Sequence, residues 1–174
     1  IREKEKKSSG IHLTLIPFIV KAVIAALKRH PYLNASLDEQ TEEVILKKYY
    51  NIGIAVDLEG GLIVPVVKGA DQKSVLQIGK DVQELAEKAR KRGIDLADLK
   101  GGTFTITNYG SIGGIYGTPI PNHPEVAILG LGRILDKPLV VADQIKARKV
   151  LPLSLTFDHR VLDGAEAARF LADL

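Results

Sequence analysis

Near its C-terminus the chain switches from strand to helix within a few residues. Val150, Leu151, Leu153, Leu155 and Phe157 form an apolar run that reads as a strand, and Asp158-His159-Arg160-Val161-Leu162-Asp163-Gly164 follows it. Gly164 permits a backbone break, after which Ala165-Glu166-Ala167-Ala168-Arg169-Phe170-Leu171 reads as a helix. A strand that hands directly to a helix demands a layered packing of sheet and helix. It also sets His159 at the strand's end, beside two carboxylates. Imidazole titrates near neutral pH, so such a histidine is a candidate general base. The competing reading is a solvated turn in which Asp158, His159, Arg160 and Asp163 pair among themselves.

The remaining elements agree with a layered domain. Leu13 to Lys28 carries Ile16, Ile19, Val20, Val23, Ile24 and Leu27 at three- and four-residue spacings, a helical pattern with Pro17 in its first turn. His30-Pro31 ends it, and His30 reads as a C-terminal residue favoured by the helix dipole rather than a ligand. Val44 to Asp57 reads as one or two strands. Gly60-Gly61 reads as a turn and Leu62 to Val67 as a strand completing a hairpin. Ser74 with Gln77 has the spacing of a capping box. Val75, Ile78, Val82, Leu85 and Ala89 mark the buried face of that helix, which Lys91-Arg92-Gly93 closes. Further strands are expected over Thr103–Thr107, Val126–Leu131, Leu139–Val141 and Val150–Phe157. In the first of these, Thr103, Thr105 and Thr107 share one face, as exposed strand threonines often do. The charged stretch Ile1 to Gly10 reads as a solvated helix end or linker.

Composition narrows the chemistry. At 174 residues the chain is one domain, a size that hides roughly 70% of its extended surface. Apolar residues at 45% and charged residues at 26% are ordinary globular values, and the net charge of +3 is scattered rather than gathered into a nucleic-acid patch. Without cysteine there is no disulfide, thiolate nucleophile or thiolate metal site, so any thiol chemistry uses thiols of the substrates. Four dispersed histidines argue against a metal centre. The longest apolar stretch, Leu13 to Leu27, holds Pro17 and Lys21 and is too short to span a bilayer. No secretory signal pattern stands out, and a soluble intracellular chain is expected.

The glycine-rich stretch Asn108-Tyr109-Gly110-Ser111-Ile112-Gly113-Gly114-Ile115-Tyr116-Gly117 lacks dinucleotide-fingerprint spacing, and Thr118-Pro119-Ile120-Pro121 after it does not begin a helix. Gly130-Leu131-Gly132 reads as a strand end where backbone or ligand approaches closely.

His-Arg-x-x-x-Asp-Gly at a strand-to-helix junction resembles the active-site motif of the dihydrolipoamide acyltransferases, the E2 cores of 2-oxo acid dehydrogenase complexes. Asn51-Ile52-Gly53-Ile54-Ala55-Val56-Asp57, Gly61-Leu62-Ile63-Val64-Pro65-Val66, Gly102-Thr103-Phe104-Thr105-Ile106-Thr107-Asn108 and Pro124-Glu125-Val126-Ala127-Ile128-Leu129-Gly130 are similar to that family in the same order. The resemblance implies an α/β (α+β) fold like chloramphenicol acetyltransferase: a two-layer sandwich with a mixed β-sheet covered by helices. It implies that 1–174 is an acyltransferase catalytic domain, incomplete at both ends relative to the family and without a lipoyl or peripheral subunit-binding domain.

The implied reaction is acyl transfer between a dihydrolipoyl thiol, carried on a separate domain, and coenzyme A, with no metal. His159 would be the base, and Thr107 the hydroxyl that meets the oxyanion. Asp163 would set the active-site turn, or serve as a plain helix N-cap. By matched position Thr14, Asp57, Thr107, Asn108, Gly132 and Ile134 would contact coenzyme A, while Asp57 also reads as a turn residue before Glu59-Gly60-Gly61. Implied partners are two further copies in a homotrimer, trimers in a cubic, icosahedral or other shell, the lipoyl domain, and E1 and E3 components. Neither nucleic acid nor membrane is expected as a partner. The implied location is cytoplasmic, or the mitochondrial matrix in a eukaryote. Acetyl, branched-chain and succinyl enzymes share these motifs. Two rivals are a stand-alone acetyltransferase of the same fold and a noncatalytic core scaffold, the second opposed by the presence of His159, Asp163 and Thr107.

Overall fold

The structure, a computed structural model, describes residues 13–174; the charged stretch Ile1 to Gly10 lies outside them. Its centre is a five-stranded mixed sheet in the order β11-β8-β7-β3-β6. Strands β3 (Ile52–Ile54), β7 (Phe104–Asn108) and β8 (Ala127–Leu131) run parallel, while β6 (Val66–Val67) and β11 (Leu153–Phe157) close the edges antiparallel. All five residues of β8 are buried, as expected for a central strand covered on both faces.

Strand alternation divides the two faces. Ile52, Ile54, Phe104, Ile106, Ala127, Leu129 and Leu131 join the core formed by three helices: α1 (Ile16–Arg29), α2 (Val75–Arg90) and α4 (Gly164–Ala172). Helix α1 turns Val20, Val23, Ile24 and Leu27 inward, and Phe170 of α4 stands 5.8 Å from the ring of Phe104. Fully burying such side chains stabilises the fold by about 1.5–3 kcal/mol each. The short helix α3 (Leu96–Leu99) precedes β7.

The opposite face carries Gly53, Thr103, Thr105, Thr107, Ile128 and Gly130. The shared threonine face is found, but Thr103 and Thr105 are buried rather than exposed. The β7–β8 crossover folds over this face, bringing Tyr109 onto Gly130, where an added Cβ would run into the ring. The Tyr109 hydroxyl donates to Ser154 Oγ at 2.9 Å.

Three hairpins extend from this frame: β1 (Ala35–Asp38) with β2 (Glu43–Leu46), β4 (Val56–Leu58) with β5 (Gly61–Ile63), and β9 (Leu135–Val141) with β10 (Gln144–Val150). The expected hairpin after Val44 exists, split into the β4–β5 and β3–β6 pairs because Pro65 interrupts the second run. Val150–Phe157 is likewise not one strand. Pro152 has no N–H for the ladder, so β10 ends at Val150 and β11 begins at Leu153. The Ser74–Gln77 capping box forms in both directions, at 2.7 and 3.3 Å. At the other end of α2 it is Arg92, φ 55°, that takes the left-handed conformation, not Gly93. No helix among the described residues is long and apolar enough to cross a membrane.

One carboxyl is enclosed by this packing. Glu125 is 7% exposed, accepts the Thr105 hydroxyl at 2.5 Å, and sits where a Cβ on Gly102 would strike it. Burial pushes its pKa up to about 7, against the hydrogen bonds from Thr105 and Asn122. A raised carboxyl pKa means the folded state binds the proton more tightly than the unfolded one. Stability from this group is therefore complete below about pH 4.5 and falls as pH rises towards 7. Glu125→Gln should flatten that slope, gaining on the order of 3 kcal/mol relative to wild type across the window, as read by denaturant unfolding from pH 4.5 to 8. An unchanged slope would show that Glu125 ionises normally.

Candidate active site

The strand end places His159 as expected, but its neighbours divide the work differently. Asp158 and Arg160 do pair with each other, Arg160 reaching Asp158 Oδ2 at 2.7 Å and Glu39 at 3.2 Å. The Arg160 hydrogen bond holds the Asp158 carboxyl below its usual range, despite some burial. His159 stays out of this pairing, its ring 5.6 Å from that of Phe157. It opens onto a depression of about 390 Å³ with Tyr32, Arg160, Asp163, Glu166 and Arg169 on its walls.

Asp163 is the N-cap of α4: its Oδ1 accepts the backbone N–H of Glu166 at 2.9 Å. That bond is the main reason its pKa is lowered, with the His159 charge a minor contributor. The Asp163 carboxylate thus faces the helix start, which is the N-cap alternative, while the His159 turn is closed by the Asp158 carbonyl, which accepts the Val161 and Leu162 N–H groups. Glu166, unread in the sequence as part of the site, is signalled by its position three residues after the cap.

The candidate coenzyme A contacts fall in three places. Thr14, Asn108, Gly132 and Ile134 come together in a groove of about 310 Å³ between the start of α1 and the ends of β7 and β8, with Ile16, Ile19 and Leu151. Alternation sends Thr107 to the other side of β7, where it lines a larger cleft of about 760 Å³. That cleft has an apolar wall, including Tyr116 and Ile120, which are 67% and 85% exposed. Asp57 stands exposed on β4, apart from both hollows. Gly132 accommodates the Ile115 carbonyl and Gly110 the Gly132 carbonyl. Arg133 N–H donates to Gly114 O at 2.7 Å, so the glycine-rich loop forms the partition between groove and cleft.

The sheet register separates His159 from Thr107. Thr107 lies beside Gly130 near the C-terminal end of β8, whereas Phe157 pairs with Ala127 at its beginning and Asp158 N–H bonds Val126 O. At roughly 3.3 Å per residue and 4.8 Å per strand, the two side chains are some 15–20 Å apart in one chain. A single chain does not bring them to one substrate atom.

If Asp163 acts through the cap, Asp163→Asn should keep the melting temperature near that of the wild type, and Asp163→Ala should lower it. Thermal unfolding of both variants checks this; equal losses would remove the capping role.

Comparison with known proteins places this geometry. The family model for the catalytic domain of 2-oxoacid dehydrogenases acyltransferase matches residues 1–174. The dihydrolipoyllysine-residue acetyltransferase component of the pyruvate dehydrogenase complex of Bacillus subtilis is 56% identical over 162 residues, covering 93% of this chain. The chain spans only 37% of that relative's length. Among solved structures, the Azotobacter vinelandii dihydrolipoamide acetyltransferase superposes with a TM-score of 0.94 at 45% identity, over 98% of this chain and 72% of that one. A cubic core of a pyruvate dehydrogenase multienzyme complex also gives 0.94, at 44% identity, over 99% and 72%. A chloramphenicol acetyltransferase shares the fold alone, with a TM-score of 0.59 at 15% identity over 99% of this chain and 80% of that one. The chain therefore belongs to the acyltransferase family of the 2-oxoacid dehydrogenases, whose catalytic-domain model matches its residues 1–174.

Proposed function

We propose that this chain is the catalytic domain that moves an acetyl group between a dihydrolipoyl thiol and coenzyme A in the core of a pyruvate dehydrogenase complex. The observation that carries the reading is the gathering of Thr14, Asn108, Gly132 and Ile134 in one groove, with Thr107 on the far side of the same strand end. The groove suits an elongated cofactor-like substrate, and the cleft suits a second thiol arriving from the opposite side. The relatives named for acetyl transfer in that complex support the acyl group.

In this reading His159 accepts the proton of the attacking coenzyme A thiol, and the sulfur adds to the thioester carbonyl. A thiol with a pKa near 8.5 is only a few per cent thiolate at neutral pH, so a positioned base raises the rate by about 10²–10⁴-fold. The oxyanion so formed accepts the Thr107 hydroxyl, a contact worth roughly 3 kcal/mol in comparable sites. The lipoyl carbon–sulfur bond then breaks, and His159 returns its proton to the departing sulfur. No acyl-enzyme is needed.

Because one chain holds His159 and Thr107 far apart, the working site is formed between chains: His159 of one faces Thr107 of the next around a threefold axis. The exposed apolar wall of Tyr116 and Ile120 suits such a contact. The serine, histidine and asparagine studied in the A. vinelandii mechanism stand at the same intervals along their chain as Thr107, His159 and Asp163 do here. The similarity to a cubic core extends the reading to trimers assembled into a shell. The lipoyl domain and the E1 and E3 components would engage through other parts of the whole protein.

His159→Ala should lower kcat by about 10²–10⁴-fold with little change in coenzyme A affinity, measured as acetyl transfer from acetyl-CoA to dihydrolipoamide. Thr107→Ala should lose about 10²-fold while Thr107→Ser keeps most activity. Near-wild-type turnover in the histidine variant, or equal behaviour of the two threonine variants, would remove those roles. A panel of acyl-CoAs in the same assay should favour acetyl.

Complementation tests the shared site. Trimers reassembled from His159→Ala and Thr107→Ala subunits should recover part of the activity, because some boundaries pair two intact residues. No recovery in verified mixed trimers would sink the shared site.

A further inference from the structure

His30 ends helix α1 and is buried, yet both ring nitrogens meet carboxylates. Nδ1 stands 2.8 Å from Glu166 Oε1, and Nε2 stands 2.9 Å from Asp173 Oδ2. A neutral imidazole has one N–H and one bare lone pair, so it serves one ionised carboxylate and repels the other. Two ionised carboxylates at the two nitrogens call for the imidazolium. Burial opposes that charge, but the hydrogen bonds and charges of Glu166 and Asp173 outweigh it, and the His30 pKa is raised.

The surroundings are accounted for on each side. On α1, Arg29 reaches Asp173 at 3.3 Å. On α4, Arg169 reaches Glu166 at 3.2 Å, and Phe170 meets the imidazole edge-on at 5.9 Å. Tyr32, on the short turn after His30, lines the hollow that Glu166 and His159 share. Glu166 lies in the first turn of α4 and Asp173 is its C-cap, and the backbone N–H of Glu166 is the one capped by Asp163. The other end of α1 borders the groove at Ile16 and Ile19.

We propose that His30 is a positioning residue for acyl transfer: held as an imidazolium, it fixes helix α4, and with it the His159 turn, against helix α1. The proposal rests on the function proposed above, because it takes His159 as the base. When His30 loses its proton, one carboxylate faces a bare lone pair and α4 loses one of the two ties that His30 gives it, keeping the Arg29–Asp173 bridge. A histidine whose folded pKa is raised contributes stability fully below about pH 6.5 and loses it as pH rises through the folded value. The groove at the start of α1 is unaffected, so the effect falls on kcat rather than on KM for coenzyme A.

The test uses the full-length assembled protein. Deuterium exchange at the imidazole C2 position, read peptide by peptide in a mass spectrometer, gives the titration midpoint of His30 separately from that of His159. The expected result is a His30 midpoint raised above the ordinary histidine value, with a fall in kcat at that same pH. His30→Gln should lower kcat roughly 10-fold below neutral pH, in keeping with a displaced general base. It should also abolish the step in the pH profile and leave the coenzyme A KM unchanged. His30→Ala should be worse, since glutamine keeps one donor. If either variant fails to assemble, Glu166→Gln and Asp173→Asn serve instead: each should move the His30 midpoint and the kcat step down in pH together. An ordinary His30 midpoint, a step that stays put, or kcat and KM falling together with thermal stability would overturn the proposal. A wild-type protein without acyl transfer would instead overturn the functional reading, while the exchange midpoint still tests the clamp.

Discussion

The alternation of side chains along β7 is the constraint from which the site follows. Phe104 and Ile106 point into the helical core, and Thr103, Thr105 and Thr107 point the other way. At the strand's end this period of two divides Thr107 from Asn108 and gives each a hollow of its own. A one-residue slip would exchange them, bury Asn108's neighbours wrongly and expose the phenylalanine. Register is therefore held by the core, through Ile52 opposite Phe104 and Ile106 opposite Leu129. The hydrophobic packing that makes the fold also keeps Thr107 and Asn108 on opposite sides of the sheet.

The second constraint is the antiparallel course of β11. Had it run parallel to β8, its C-terminal end would have carried His159 toward Thr107. Running the other way, it delivers the histidine to the far end of the sheet, where Asp163 and α4 take over. Each end of the sheet thus holds one of the two side chains proposed for the chemistry. The Arg160 bridge from Asp158 to Glu39 ties the histidine turn to the β1–β2 hairpin. As an exposed bridge it contributes little energy, and its contribution is to orientation.

Much of this was legible in the residues, and the parts that were not have a common cause. The β8 run, the capping box at Ser74 and the turn into α4 are local patterns, and all three stand in the structure. The β9–β10 hairpin escaped notice because its tight turn is Ala142-Asp143, both at positive φ, without the Asn-Gly pair that announces such turns. The threonine face looked solvent-exposed because no local pattern announces that the chain folds back over it. Its cover, Tyr109 with Glu125, comes from the crossover. Grouping Thr14, Asn108, Gly132 and Ile134 required family likeness, since they lie far apart along the chain. His30 stands at the helix end that the local pattern shows, but its two carboxylate partners were not legible, because they arrive from more than a hundred residues away.

The contact of Tyr109 with Gly130 has a bearing on how this domain tolerates change. The ring occupies the volume that any side chain at position 130 would claim, and its hydroxyl is fastened to Ser154 on β11. A single methyl group there would not open a void or crowd the helical core, which lies on the other face. It would lift the ring, and with it the loop whose backbone meets Gly132 and Arg133. The wall between the two hollows would shift while the helices stayed in place. Position 130 is thus a point where hydrophobic packing and substrate access can be varied separately, and drift at that residue would reshape the entrances long before it unfolded the protein.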